Sequence, residues 1–327
     1  MKTPSLYTTR ILLKTAGAVT SLLLTSPLAS ADNAQGHVST PSAPAEATKP
    51  TPQQPEPQSE QSKAVNPQVQ TEVEKQADAK RAQLLKDAQV AIDETHKALT
   101  ALDQNKNDEA LAALEKVTGK LDLILARDPN LALAPVSMAT IVRDLYANQD
   151  TVKDAVKEAR SELSDGKVQR ARALLGDLAS EIELQVTNIP LATYPAAIKA
   201  VAPLIDAGKK DEAKTALQTA LNTLVIERFI TPLPTVRATA MLDEAEKLAE
   251  KNGRSSDENK KLHDLVENAR QQLELGETLG YGVPEDYKPL YAQLDEIQRK
   301  TEGGKSGKGI FDAIKASLKG LKDRILS

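Results

Sequence analysis

Catalysis needs a nucleophile, a base or a metal set at workable spacing, and this 327-residue sequence offers few of these. Its three histidines, His37, His96 and His263, are scattered; none pairs at i, i+4 and no H-E-x-x-H occurs. The absence of cysteine removes thiolate metal sites, a cysteine nucleophile and disulfides. No G-x-S-x-G turn is present. Gly303-Gly304-Lys305-Ser306 ends like a phosphate-binding loop, but Arg299 stands where that loop needs its first glycine, so the segment reads as a hinge. Adjacent acids such as Asp211-Glu212 and Asp243-Glu244 read as solvated helix faces in a chain with 46 Asp and Glu. The expectation is a non-enzymatic protein with no catalytic residue, no metal ligand and no cofactor.

Binding is better served. Two proline-aromatic corners, Asn188 to Pro195 and Arg228 to Pro234, hold two of the chain's few aromatic rings. Tyr194, Pro195, Phe229 and Pro232, with Tyr281 in a Gly-rich loop, are candidate contacts for a partner or ligand. The competing reading makes these corners rigid connections whose Tyr194 and Phe229 plug the core. A second candidate is the final helix, where Ile310, Ile314, Leu318, Leu321 and Ile325 form one apolar stripe. Around it lie Lys305, Lys308, Lys315, Lys319, Lys322 and Arg324, against only Asp312 and Asp323. Such a helix can dock on an acidic body, meet a second copy, or lie on an anionic membrane through residues 310–326.

The elements that would carry these residues follow from composition and period. Lys2, Arg10 and Lys14 precede a short apolar run, Ala16 to Leu24, and Ala29-Ser30-Ala31 follows it, the pattern of a secretory signal peptide over residues 1–31. Export to the periplasm with cleavage near Ala31 is expected. Cleavage takes the net charge from −4 to about −7, since three cations and no acids are lost. That balance gives no reason to expect a nucleic-acid partner. Residues 32–70 hold seven of the 18 prolines and read as a disordered linker.

From about Thr71 the apolar period is helical. Asn105-Lys106, Gly166-Lys167 and Gly208-Lys209 each open the same pattern. Ala110, Ala171 and Ala213 follow at one shared offset, Leu114, Leu175 and Leu217 at a second, and Leu121, Ile182 and Leu224 at a third. Pro129, Pro190 and Pro232 close the three copies. Gly or Asn tolerates the left-handed turn that ends one helix, and proline stops the next. Leu99 and Leu125 lie on the stripes flanking the first turn, and Val136 to Leu163 reads as the first arm of the second copy. Later helices are expected at Thr235 to Lys251, Asp257 to Leu279, Tyr287 to Lys300 and Ile310 to Leu326. The expected class is all-α: irregular antiparallel helical hairpins packed as a bundle.

The strings Asn188 to Tyr194, Phe229 to Pro234, Ala269 to Leu273 and Leu279 to Gly282 resemble the YfdX family of bacterial exported helical proteins. The resemblance covers roughly residues 80–300 and places a helical domain at 71–302, with the Gly-rich segment and basic helix at 303–327 as an addition. It implies an all-α fold, a Gram-negative periplasmic setting and a link to acid or envelope stress. It also implies chaperone-like or small-molecule-binding roles, and it supplies no defined site residues. The expected function is stress-related binding of other proteins or of itself as a homo-oligomer. A membrane-surface module and a small-molecule-binding protein are the alternatives.

Overall fold

The computed structural model describes residues 58–326, and helices dominate it, 68% against 11% strand. In chain order the first part holds α1 (Glu60–Ala64), α2 (Asn66–Arg81), α3 (Lys86–Asp103), α4 (Asn107–Arg127) and β1 (Leu133–Arg143). Next come α5 (Gln149–Ser164), α6 (Val168–Leu175), β2 (Glu181–Pro190), α7 (Tyr194–Lys199), α8 (Ala202–Asp206), α9 (Lys210–Leu221) and β3 (Val225–Pro232). The last four helices are α10 (Leu233–Glu250), α11 (Ser256–Thr278), α12 (Pro284–Thr301) and α13 (Asp312–Leu326). The expected signal peptide, and residues 32–57 of the expected linker, lie outside the described residues.

The rest of the expected linker is helical. Ser59 caps α1 by accepting a hydrogen bond from the Ser62 amide at 3.1 Å, and Pro67 sits in the first turn of α2. Proline is tolerated there because that turn's amide has no helical partner anyway. Val69, Val73 and Ala77, spaced by four, form the buried face that fixes α2.

The three repeated turns form as their residue types require. Asn105, Gly166 and Gly208 have φ of 59°, 74° and 72°, and Ala110, Ala171 and Ala213 are fully buried. Beyond those alanines the copies diverge. α4 continues for 21 residues, whereas α6 stops after 8 and α9 after 12. Ile182 therefore lies in β2, and Leu224 just precedes β3. Pro190 and Pro232 end strands; of the three, Pro129 alone follows a helix. The repeated unit is thus helix, turn, helix, strand.

The mostly helical class expected from the sequence holds, and a small three-stranded sheet is added to it. Val136 to Leu163 divides into β1 and α5 because Met138, Thr140 and Val142 alternate along one side of an extended chain, opposite Val186, Leu184 and Ile182. The three strands form one antiparallel sheet in the order β1-β2-β3, with Arg143 opposite Glu181 and Leu184 opposite Phe229. A bulge interrupts β1 between Pro135 and Ser137.

Two large apolar clusters organise the helices. One gathers α3, α4 and α7–α9 around Leu102, Leu121, Ile198 and Leu217. The other gathers α10–α13 around Met241, Leu273, Leu294 and Phe311. A smaller cluster joins Val69 and Val73 of α2, Ile182 and Leu184 of β2, and Leu233 and Val236 of α10. The α5–α6 hairpin shares little in these cores: Val152, Ala159 and Ala171 are buried, while Leu163, Val168 and Leu175 are 47%, 55% and 45% exposed.

The Gly-rich segment after α12 is tied down. The Gly307 amide donates to the Ala249 carbonyl at 2.9 Å, and a Cβ added there would come within 2.7 Å of Ala249 Cβ. Buried Arg254 donates to the carbonyls of Ala249 at 2.6 Å and Lys305 at 2.5 Å. The expected hinge is a packed connection.

Candidate functional site

A cleft of about 670 Å³ opens beside the sheet, within the ~300–1,000 Å³ range of ligand pockets. Helix ends, loops and all three strands build it. The end of α2 supplies Lys80, and the short link to α3 supplies Leu85, held when its amide donates to the Pro135 carbonyl at 2.9 Å. The start of α3 and the end of α4 are clamped by Asp87, which accepts from Lys120 at 2.8 Å and Arg127 at 2.7 Å. Those two hydrogen bonds, Lys120's first, hold the Asp87 carboxyl below the usual carboxylate range. The chain entering β1 adds Leu131 and Leu133, β2 adds Val186 and Asn188, and β3 adds Glu227 and Phe229.

The polar groups on the floor are satisfied among themselves. Asn188 is buried and donates to the Val186 carbonyl and the Glu227 carboxylate, each at 3.0 Å. The Lys80 ammonium stands 3.4 Å above the Phe229 ring, a cation–π contact. Around the apolar floor, Lys80, Lys86 and Arg127 face Asp87, Asp128 and Glu227. The rim charges cancel, so the cleft selects for apolar shape more than for the charge of a head group. Among the described residues no group of three or more His, Asp or Glu could hold a metal ion.

Of the five expected contact residues, Phe229 is the one that lines this cleft. Tyr194 and Pro195 are buried at the start of α7, in the first helical core. The Tyr194 hydroxyl donates to Thr95 Oγ1 at 3.1 Å, and Thr95 donates on to the Ala91 carbonyl at 2.8 Å. Burial pushes its phenol up, with the Thr95 bond opposing. Tyr194 is therefore a core plug. Tyr194→Phe should cost about 1 kcal/mol for one lost hydrogen bond, and Tyr194→Ala about 3–5 kcal/mol for an emptied site, read by urea unfolding. Equal midpoints for the two variants would contradict the core assignment.

Pro232 is buried where β3 turns into α10. Tyr281 sits elsewhere, half-buried, in a polar cluster at the far end of the sheet. Its hydroxyl donates to Glu181 at 2.7 Å and accepts from the Ser180 amide at 3.0 Å, and burial raises its pKa with Glu181 adding to the effect. Nearby, Arg143 bonds both Glu183 and Glu181, and Arg228 reaches Glu183 at 3.0 Å. Arg237, 5% exposed, forks onto Asp144 at 2.9 and 2.5 Å. Asp144 also accepts from Ser180 at 3.3 Å and Gln58 at 2.9 Å. The five expected residues thus fall at several places, not in one groove.

The C-terminal stripe is occupied. Ile314, Leu318 and Leu321 are buried in the second helical core, and Ile310 and Ile325 pack against it. The surrounding cations meet the acidic body: Lys315 pairs with Asp243 and Glu246, Lys322 with Glu72, and Arg324 with Asp286 at 2.8 Å. Of the three expected settings for this face, an acidic body, a second copy or a membrane, the structure has it docked on the chain's own acidic body. Among the described residues no helix is long and apolar enough to cross a membrane.

Apart from Phe229, the cleft was not foreseen, because its residues come together only through the sheet. The alternation of Ile182, Leu184, Val186 and Asn188 was the signal that could have found it.

Residues 91–229 match the model of the YfdX protein family. The match runs from α3 to β3 and takes in most of the cleft, while Ala269 to Leu273 and Leu279 to Gly282 lie beyond it. A solved structure of Salmonella Typhi YfdX is similar over 46% of this chain and 93% of that chain, at 14% identity and a TM-score of 0.32. No curated protein matches the sequence.

Proposed function

From the match of residues 91–229 to the YfdX family model, we propose that the chain is an exported, periplasmic, non-enzymatic binding protein that holds partly unfolded proteins under acid or envelope stress. The observation that carries this reading is the cleft at Phe229: a preformed apolar floor whose rim charges cancel. Apolar segments are what an unfolding protein exposes, and a charge-balanced rim accepts them without selecting one sequence.

The link to acid rests on where the carboxylates are. Glu183 ties strands through Arg143 and Arg228, and Glu72 ties α2 to α13 through Lys322. Glu94 ties α3 to α4 through Lys116, with Lys97 alongside. Burial, the largest single effect, pushes the Glu183 and Glu72 carboxyls up. Hydrogen bonds from Arg143 and Gln185 to the one and from Lys322 and Gln76 to the other, together with the neighbouring cationic charges, outweigh it, and both sit below the ordinary range. The Lys97 bond holds Glu94 low as well. Carboxyls lowered by folding stabilise the fold above their unfolded pKa, and that stabilisation is lost as pH falls through their folded values. Melting temperature should therefore hold between pH 7 and 5 and drop steeply below about pH 4. Circular dichroism melts at half-unit steps measure this, and a flat profile down to pH 3 would contradict it.

Acid makes the whole surface cationic as the 46 carboxyls protonate, and loosened helices then uncover more apolar surface. Light scattering from an aggregating client, with and without the chain at pH 3 and pH 7, tests the reading. No suppression at either pH ends it.

A further inference from the structure

We propose that the Val225–Phe229 half of β3 and the cleft beside it form one site, which takes an extended apolar segment of another polypeptide as a fourth strand. The inference rests on the client-binding reading and gives it a place and a mode.

The first support is the sheet edge. β3 is a terminal strand, and Val225 and Ile226 are 36% and 50% exposed, with Glu227 and Arg228 exposed beside them. Among the described residues, no backbone hydrogen bond from a helix or loop reaches positions 225–230. The outward amides and carbonyls of such an edge match the backbone of another extended chain.

The second support is the contrast between edges. β1 carries the bulge at Pro135–Ser137, and the Leu85 amide already bonds the Pro135 carbonyl. Bulges and prolines are how edges resist pairing. At the other end of β3, Ile230 shares a groove with Leu321 and Ile325 of α13. The stretch left over is Val225–Phe229, the stretch next to the cleft.

The third support is alternation. Glu227 and Phe229 face the cleft while Ile226 and Arg228 lie on the opposite face of the sheet. An added strand sends every second side chain to the same side as Phe229, where the floor is apolar and the rim has no net charge. Backbone bonds supply affinity without sequence demand, and the floor supplies a preference for apolar side chains at alternate positions.

The test uses the full chain and two fluorescein-labelled octapeptides of alternating Val and Thr, one unmodified and one N-methylated at every amide. N-methylation keeps the side chains and removes the donors on both edges. Fluorescence anisotropy should show saturable binding of the unmodified peptide and binding at least about tenfold weaker for the methylated copy. Ile226→Lys, at an exposed position, should weaken the unmodified peptide about threefold through its lost cross-strand pair. Phe229→Ala should weaken it further, with a melt to confirm folding. Equal binding of the two peptides, or no binding of either, overturns the proposal. If the chain suppresses client aggregation but binds neither peptide, the site is wrong and the client-binding reading stands. Peptide binding without suppression has the opposite meaning.

Discussion

Ending the chain at Gly304 should unfold the α10–α12 half of the molecule. The deleted segment carries Phe311, Ile314, Leu318 and Leu321, all buried against α10 and α12. Each such side chain contributes about 1.5–3 kcal/mol when removed from water. Their joint loss is of the order of the ~5–15 kcal/mol that holds a whole domain together. The ion pairs from Lys315 to Asp243 and Glu246 and from Lys322 to Glu72 go with them, Glu72 keeping Lys75 and Gln76. The truncated chain should lose helical circular dichroism at 222 nm well before the full chain in urea, and should pellet from concentrated solution. A truncated chain with an unchanged midpoint would mean that α13 is an appendage and not part of the core.

Asp144→Ala should be the most damaging single substitution of a polar residue. It leaves Arg237 buried with no anion, and removes the acceptor that Ser180 and Gln58 share. Breaking a buried pair from one side costs about 3–5 kcal/mol because the remaining charge is neither paired nor hydrated. The double variant Asp144→Leu with Arg237→Met removes both charges and should recover most of that loss. Urea midpoints for wild type, single and double variants decide the point. A single variant within about 1 kcal/mol of wild type would show that water replaces the carboxylate. Three regions meet at Asp144: the chain before α1, the end of β1 with the start of β2, and the second turn of α10 at Arg237. Its loss should therefore be felt across the fold.

These two residue sets differ in how far the sequence announced them. The stripe of α13 was legible because a helix repeats its buried face every three or four residues, and Ile310 to Ile325 keeps that spacing. What it packs on was not, since an acidic body and an anionic membrane attract a basic helix alike. The turns at Asn105, Gly166 and Gly208 were legible for a stricter reason: few residue types accept a positive φ, so their recurrence marks a backbone shape. The sheet was missed because β2 and β3 fill positions that the first copy gives to helix. A strand of 8 to 11 residues carries a weak pattern, and its partners lie some 40 residues away in the sequence. Missing the sheet also hid the cleft, because Leu85, Ile124, Val186 and Phe229 share no local pattern. Tyr194 as a core plug was foreseen as one of two readings, while Asp144 and Arg237 gave no sign, since pairing at a separation of 93 residues leaves none.

The uneven use of one repeated turn has a kinetic consequence. The copies at Asn105 and Gly208 are joined through their own tips, where Lys210 donates to Asn105 at 2.6 Å and Lys214 pairs with Asp103. The copy at Gly166 has three buried side chains along α5 and α6 and three apolar ones facing solvent. Its amides should be the first helical ones to trade hydrogen for deuterium, through local opening that leaves both large cores intact. A protease offered the folded chain should make its first helical cut there, near Ser164 to Val168, releasing two fragments that stay associated.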